Sequence, residues 1–356
     1  MKPVLFVTNH APAYRVGAFA ALHEAEEVVF ALVGGDLRHG GATARGDLPF
    51  PALRPSQRAV GRLAASGRFR AVVAGLSGRV ALPGAYLGAR AARVPFVLWA
   101  TIWRHPRTAA HALSYLPLRG LYRHADAIAT YGPHVSAYVR GKGARAPVVE
   151  APQSVDDAFW GASAEPIRHA PFQALFAGRV VREKGVEVLV RGWREAGLDD
   201  GALVVAGEGP LRAAALAAGA VCPPGPLSPE QVRSLYAGSD VVVVPSIGAR
   251  DFLEPWGLVV NEAFDQRVPV IATTAVGAAA GGLVRQEQTG LVVPAGDPAA
   301  LAAALRRLGQ DPALRARLGA AGRAAVAAGH SHADWARGMS RALAAAGAAR
   351  GARGCC

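Results

Sequence analysis

The chain has 356 residues, 51% of them hydrophobic and 18% charged. Those proportions exclude a disordered chain, and the length calls for one large or two ordinary domains. A net charge of +13 favours anionic partners: nucleotides, phospholipid head groups or nucleic acid.

The basic residues are almost all Arg; Lys stands only at Lys2, Lys142 and Lys184. Much of the charge reads as compositional drift on solvated faces, yet each Lys then stands out. Cys222, Cys355 and Cys356 give no disulfide framework, so a reducing compartment is expected. Cys355-Cys356 reads either as a frayed tail or as a lipidation signal. No signal peptide or membrane span is legible, and the expected location is cytoplasmic or peripheral on the inner membrane face.

Apolar runs that read as strands fall at Val4–Val7, Val28–Leu32, Ala71–Ala74, Phe96–Trp99, Ala127–Ala129 and Val148–Val149. Amphipathic stretches such as Ser56–Ala65 and His111–Arg123 lie between them. After the first run, Thr8-Asn9-His10-Ala11-Pro12-Ala13-Tyr14-Arg15 places His10, Tyr14 and Arg15 at the carboxyl edge of a strand, where open α/β sheets bind ligands. Trp103, Arg104 and His105 follow the fourth run in the same way. Arg54, Arg58, Arg62, Arg68 and Arg70 leave two readings open, drift or a face for an anionic membrane.

The pattern restarts after an irregular stretch near residues 155–170. The runs are now Ala174–Phe176, Leu203–Ala206, Val241–Val244, Val270–Ala272 and Leu291–Val293. Continuous apolar strands alternating with helices mean parallel sheets buried on both faces. So many βα units exceed one ordinary sheet. The expected fold is α/β: two Rossmann-like, doubly wound parallel-sheet domains facing a cleft. The expected division is 1–160, 161–335, and a helix and tail over 336–356 that return to the first domain. Ser228-Pro229-Glu230-Gln231, Asp297-Pro298 and Asp311-Pro312 mark helix starts.

The chemistry concentrates in the second half. Gly178-Arg179 through Lys184-Gly185 follows its first strand. Arg179 can grip a phosphate with two N–H groups, and Lys184 can act as a point charge. Gly207-Glu208-Gly209-Pro210 is a turn where backbone could approach a base or ribose, although most such turns only punctuate structure. Pro245-Ser246 ends the most apolar strand, and a loop leads from there to Glu254; its Arg250 and Asp251 could pair with each other or reach a sugar. Glu254-Pro255-Trp256-Gly257-Leu258-Val259-Val260-Asn261-Glu262 then sets two carboxylates around a helix start near Gly257. Amides at such a start attract phosphate, and the flanking carboxylates suit sugar hydroxyls. The ligand read from this is a nucleotide sugar. No Asp-x-Asp triplet, metal-spaced Cys/His set or Gly-x-x-x-x-Gly-Lys-Ser/Thr loop is present, so no metal or cofactor is expected. No basic cluster interleaved with aromatics points to nucleic acid.

Together these residues resemble the retaining, GT-B-fold glycosyltransferases of family four. The resemblance covers about residues 172–297. It is carried by Gly178-Arg179, Lys184-Gly185, Gly207-x-Gly209-Pro210, Ser239-Asp240, Pro245-Ser246, Glu254-x7-Glu262, Arg267–Ala272 and Thr289-Gly290-Leu291. It implies that Arg179 and Lys184 bind a donor diphosphate and that Glu262 holds ribose hydroxyls. Glu254 would contact the donor sugar, with Ser246 and the backbone of Trp256, Gly257 and Leu258 close by. The implied activity is transfer of a hexose from a UDP- or GDP-sugar to a hydroxyl of a glycan, lipid-linked or small-molecule acceptor. A nucleotide-sugar 2-epimerase and a non-catalytic nucleotide-sugar-binding protein are the alternatives. Departures from the family lie mostly in the first half, where Thr101 stands in place of the usual His, so that role falls to His105 or is missing.

Overall fold

A computed structural model describes residues 2–34, 47–76, 78, 80–250 and 252–354. Asp251, Cys355 and Cys356, singled out in the sequence, lie outside the described residues. The chain divides into two units: Met1–Val155 with Ser331–Cys356, and Asp156–His330.

Unit 1 alternates strands and helices: β1 (Val4–Thr8), α1 (Ala13–Glu26), β2 (Val28–Leu32), β3 (Ala52–Leu53), α2 (Val60–Ala64), β4 (Ala71–Gly75) and α3 (Ala81–Ala91). β5 (Phe96–Ala100), α4 (Ala109–His124), β6 (Ala127–Thr130), α5 (Pro133–Gly141) and β7 (Val148–Glu150) complete the series. The strands form one parallel sheet in the order β3-β2-β1-β4-β5-β6-β7. β1, β4, β5 and β6 are buried along their whole length, which is why they read as unbroken apolar runs. β3 is an exposed two-residue edge that no apolar run announces. The stretch Ser56–Ala65 is helical only over Val60–Ala64, because a turn occupies the residues before it.

Unit 2 begins with α6 (Asp157–Trp160) and continues through β8 (Phe172–Ala177), α7 (Val186–Ala196), β9 (Gly201–Ala206), α8 (Arg212–Ala217), α9 (Pro229–Ala237) and β10 (Val241–Val244). It ends with α10 (Val259–Asp265), β11 (Val270–Thr273), α11 (Gly277–Ala280), β12 (Gly290–Val293), α12 (Pro298–Gln310) and α13 (Pro312–Gly329). The parallel sheet runs β12-β11-β10-β8-β9. Ser228 and Gln231 form the expected capping box, and Asp297 and Asp311 each accept a backbone N–H at the start of their helix.

The last helix, α14 (His332–Gly354), packs on α1, β6 and β7 of unit 1. Trp335 is fully buried among Phe6, Phe19 and Trp99. Gly17 makes room for His332, whose Cδ2 would lie 2.4 Å from a Cβ at that position. Ser154 in turn shares a 3.0 Å hydrogen bond with His332 Nδ1. Among the described residues no helix is long and apolar enough to cross a membrane.

Candidate active site

The strand order of unit 2 reverses between β8 and β10. At such a switch point the two outgoing loops diverge and leave a crevice beyond the carboxyl ends of the strands. Those loops are residues 178–185 and 245–254, the two segments that carry Arg179, Lys184, Ser246 and Glu254.

Backbone packing holds the loops together. Gly185 has φ +73°, and a Cβ there would lie 1.9 Å from the carbonyl oxygen of Pro245. The Ile247 amide donates to the Glu183 carbonyl at 3.0 Å. Residues 182–184 form one 3₁₀ turn, yet Lys184 is not solvated at random. Its Nζ is ion-paired with Glu254 Oε2 and lies 5.7 Å from the centre of the Phe252 ring. Ser246 Oγ donates to the same carboxylate oxygen at 3.1 Å, and the Ser246 carbonyl accepts from Thr273 Oγ1 at 2.5 Å. Glu254 is 7% exposed, so this charged pair is largely withdrawn from water. Arg179 is more open and pairs with Glu183 at 3.3 Å.

The turn after β9 closes against the loop after β8. The Gly178 amide donates to Ala206 O at 2.9 Å, and the Val180 amide to Glu208 O at 2.8 Å. A Cβ at Gly207 would meet Gly178 O at 1.9 Å, and one at Gly209 would meet Val180 O at 2.3 Å. These glycines therefore have a packing reason.

α10 is seven residues long and starts at Val259, two positions later than Gly257. Gly257 has φ +97°, which turns the chain into the helix. Trp256 is buried and donates from Nε1 to Asn261 Oδ1 at 2.8 Å, so its side chain is held by the protein itself. Glu262 sits in the first turn of α10 and accepts a 2.7 Å hydrogen bond from Tyr236 OH. Part of Glu262 reaches solvent, yet protein surrounds the carboxylate, and that burial pushes it up to about 7 against the bond from Tyr236. Asp265, beyond the site, is raised to about 7 as well by burial, opposed by Arg323.

A carboxylate raised in the fold favours folding while it is protonated. Its contribution is complete below about pH 4.5 and lost as pH rises toward 7. Glu262→Gln keeps an acceptor for Tyr236 and removes this titration. The variant's melting temperature relative to wild type should rise between pH 4.5 and 7 and level off above it. A constant difference across that window would refute the burial of Glu262.

In unit 1, Arg15 is 5% exposed; it donates to Tyr131 OH at 2.9 Å and lies 4.8 Å from the Trp99 ring centre. Tyr14 is 38% exposed beside it, and His10 is half-buried in the turn after β1. His105 Nε2 donates to the His111 carbonyl at 2.7 Å, which anchors its ring on α4. Arg54, Arg58, Arg62 and Arg68 are exposed, but Arg70 is taken by Glu26 at 2.5 Å and leaves the open basic face. Arg250 is exposed.

Sequence reading missed Tyr236, Phe252 and Thr273. Thr273 carried a signal, as the one polar residue closing the run Val270–Thr273. Tyr236 and Phe252 carried none, because only folding brings them to Glu262 and Lys184.

Residues 162–325 match the family of glycosyl transferases group 1. A D-inositol 3-phosphate glycosyltransferase of an Arthrobacter species is 35% identical over 166 residues, 42% of this chain and 37% of that one. The alpha-D-kanosaminyltransferase of Streptomyces kanamyceticus is 32% identical over 153 residues, 40% and 38% of the two chains. The matched part spans less than half the length of these curated relatives. Among solved structures, Anabaena HepE in complex with UDP superposes with a TM-score of 0.75 at 15% identity, over 97% of this chain and all of that one. Sucrose-phosphate synthase of Thermosynechococcus elongatus gives 0.72 at 19% identity, over 96% and 98%. The two parallel-sheet domains are thus of the GT-B fold. Through residues 162–325, somewhat under half of its length, the chain is similar to the glycosyl transferases of group 1.

Proposed function

We propose that the protein is a retaining, metal-independent glycosyltransferase that moves a hexose from a nucleoside diphosphate sugar to an acceptor hydroxyl, in the synthesis of a surface polysaccharide, glycolipid or other glycoconjugate. The observation that carries this reading is the Lys184–Glu254 pair, bonded to Ser246 at the switch point of unit 2. It stores a cation for the diphosphate and a carboxylate for the sugar in one place.

In this reading the donor diphosphate takes over Lys184 and is gripped by Arg179. Glu254 is released to accept from sugar hydroxyls, and Ser246 Oγ keeps it oriented. Glu262 accepts from the ribose. The acceptor oxygen attacks the anomeric carbon from the face the diphosphate leaves. The bond from carbon to phosphate oxygen breaks, the bond to the acceptor oxygen forms, and the acceptor's proton passes to the departing phosphate. Fixed cations stabilise the charge that develops on that phosphate without having to reorganise.

Thermal melting with UDP, GDP, ADP and their sugars tests the donor. A nucleotide at a hundred times its Kd adds about 2.7 kcal/mol. That should raise the melting temperature by about 5–10 °C for a unit of this size. UDP, present in HepE, is the first to try. No shift with any nucleotide would overturn the reading.

A further inference from the structure

We propose that helix α4 of unit 1 docks on the surface of an anionic lipid bilayer, with Leu113 and Leu116 inserted at the acyl boundary and Arg119 and Arg123 among the headgroup phosphates.

Leu113 is 84% exposed and Leu116 70%, more than any other large apolar side chain among the described residues. They are three positions apart, so they share one face of the helix. Ala112 is exposed on the same face. A surface helix normally turns its apolar stripe inward. α4 already does so elsewhere on its circumference. Leu121 and Tyr122 are buried, and Tyr122 meets Tyr138 of α5 edge-on with ring centres 6.1 Å apart. The two leucines are thus a second apolar stripe, surplus to the packing of unit 1. Leu87 on α3 and Leu216 on α8 are exposed singly, which is ordinary, but two leucines on one face make a patch.

The charge beside the patch indicates what covers it. Arg119 and Arg123 lie three and seven positions beyond Leu116, on the same face, and both are exposed without an ion pair. Arg107 is exposed just before the helix. α4 itself has no acidic residue. Residues 101–149 hold seven Arg or Lys and one acid, Asp126, which is buried and paired with Arg90 at 2.9 Å. Glu150, the next acid along the chain, accepts from Ser136 of α5. Leucines followed along one face by arginines suit the boundary between acyl chains and phosphates, where both are satisfied in one plane. A second copy of the chain would instead bring one basic segment against another. Arg54, Arg58 and Arg62 are exposed as well, but α2, which carries Arg62, has no exposed large apolar side chain. That face offers charge alone and serves as the control.

The test is sedimentation of the full chain with vesicles of phosphatidylcholine, with and without phosphatidylglycerol. Wild type should bind the anionic vesicles about tenfold tighter or more. Leu113→Ser combined with Leu116→Ser should weaken that binding about tenfold. Arg119→Glu combined with Arg123→Glu should weaken it by at least about as much and flatten its dependence on salt. Arg54→Glu combined with Arg62→Glu should cost no more than about threefold, because no apolar insertion holds that face to the lipid. All three should keep the wild-type melting temperature, since the side chains replaced are exposed. Failure of wild type to bind anionic vesicles, equal binding to neutral ones, or wild-type binding in the leucine variant would overturn the proposal. So would an equal loss in the control, or a concentration-dependent dimer that the leucine variant abolishes, because a second copy would then occupy the face. Lipid binding is read without nucleotide, so it decides this face whether or not the donor reading stands.

Discussion

Lys184→Ala is expected to lower turnover by about 10²–10³-fold, the usual cost of removing one fixed donor from a site where negative charge develops. The loss should fall on kcat as well as on nucleotide affinity, because the departing diphosphate carries more localised charge than the bound donor. The fold should survive. Lys184 belongs to a 3₁₀ turn held by backbone contacts that the substitution leaves alone, namely the Gly185–Pro245 approach and the Ile247 amide on Glu183. The variant leaves Glu254 buried without its cation, though Ser246 still bonds it. A companion, Lys184→Arg, separates charge from shape. The guanidinium is planar and broader than an ammonium, so it should restore affinity better than turnover. Wild-type kcat in Lys184→Ala would remove the switch-point pair from the mechanism.

How much of this was legible in the sequence depended on whether a residue's role is local. Buried parallel strands announce themselves, so Val241–Val244 is the same in sequence and structure, and ten other apolar runs fall on strands to within a residue or two. Helix starts with Ser, Asp and Pro were equally plain, because a cap is a contact three residues long. Exposed elements were not. β3 has two residues and no core side chain, so nothing apolar marks it. The site divides along the same line. Arg179, Lys184, Ser246 and Glu254 were placed on loops that follow strands, and they lie on the loops after β8 and β10. Their pairing was not legible, because Lys184 and Glu254 meet only when β8 and β10 become neighbours. Arg15 was placed at the ligand edge from its position alone, but its burial against Trp99 and Tyr131 depends on β5 and β6 arriving beside it.

The same dependence makes a glycine the most vulnerable position of the site. Gly185→Ala should destabilise unit 2 by about 2–5 kcal/mol, adding the left-handed cost of a non-glycine residue to that of overpacking. The backbone at φ +73° already disfavours a side chain, and the new methyl would sit 1.9 Å from Pro245 O. That oxygen belongs to backbone, so it cannot swing aside as a side chain would. The loop after β10 must retreat, and it carries Ser246 and, eight residues on, Glu254. Activity should therefore fall further than stability explains. At a temperature where the variant is still folded, nucleotide-dependent stabilisation should be largely lost. Gly178→Ala is the control. It has φ +140°, and nothing stands within 4 Å of its added Cβ. Both variants bear backbone strain, but only Gly185→Ala forces the two loops apart. If both lose the same stability and the same nucleotide response, the close approach of residues 185 and 245 is not what assembles the site.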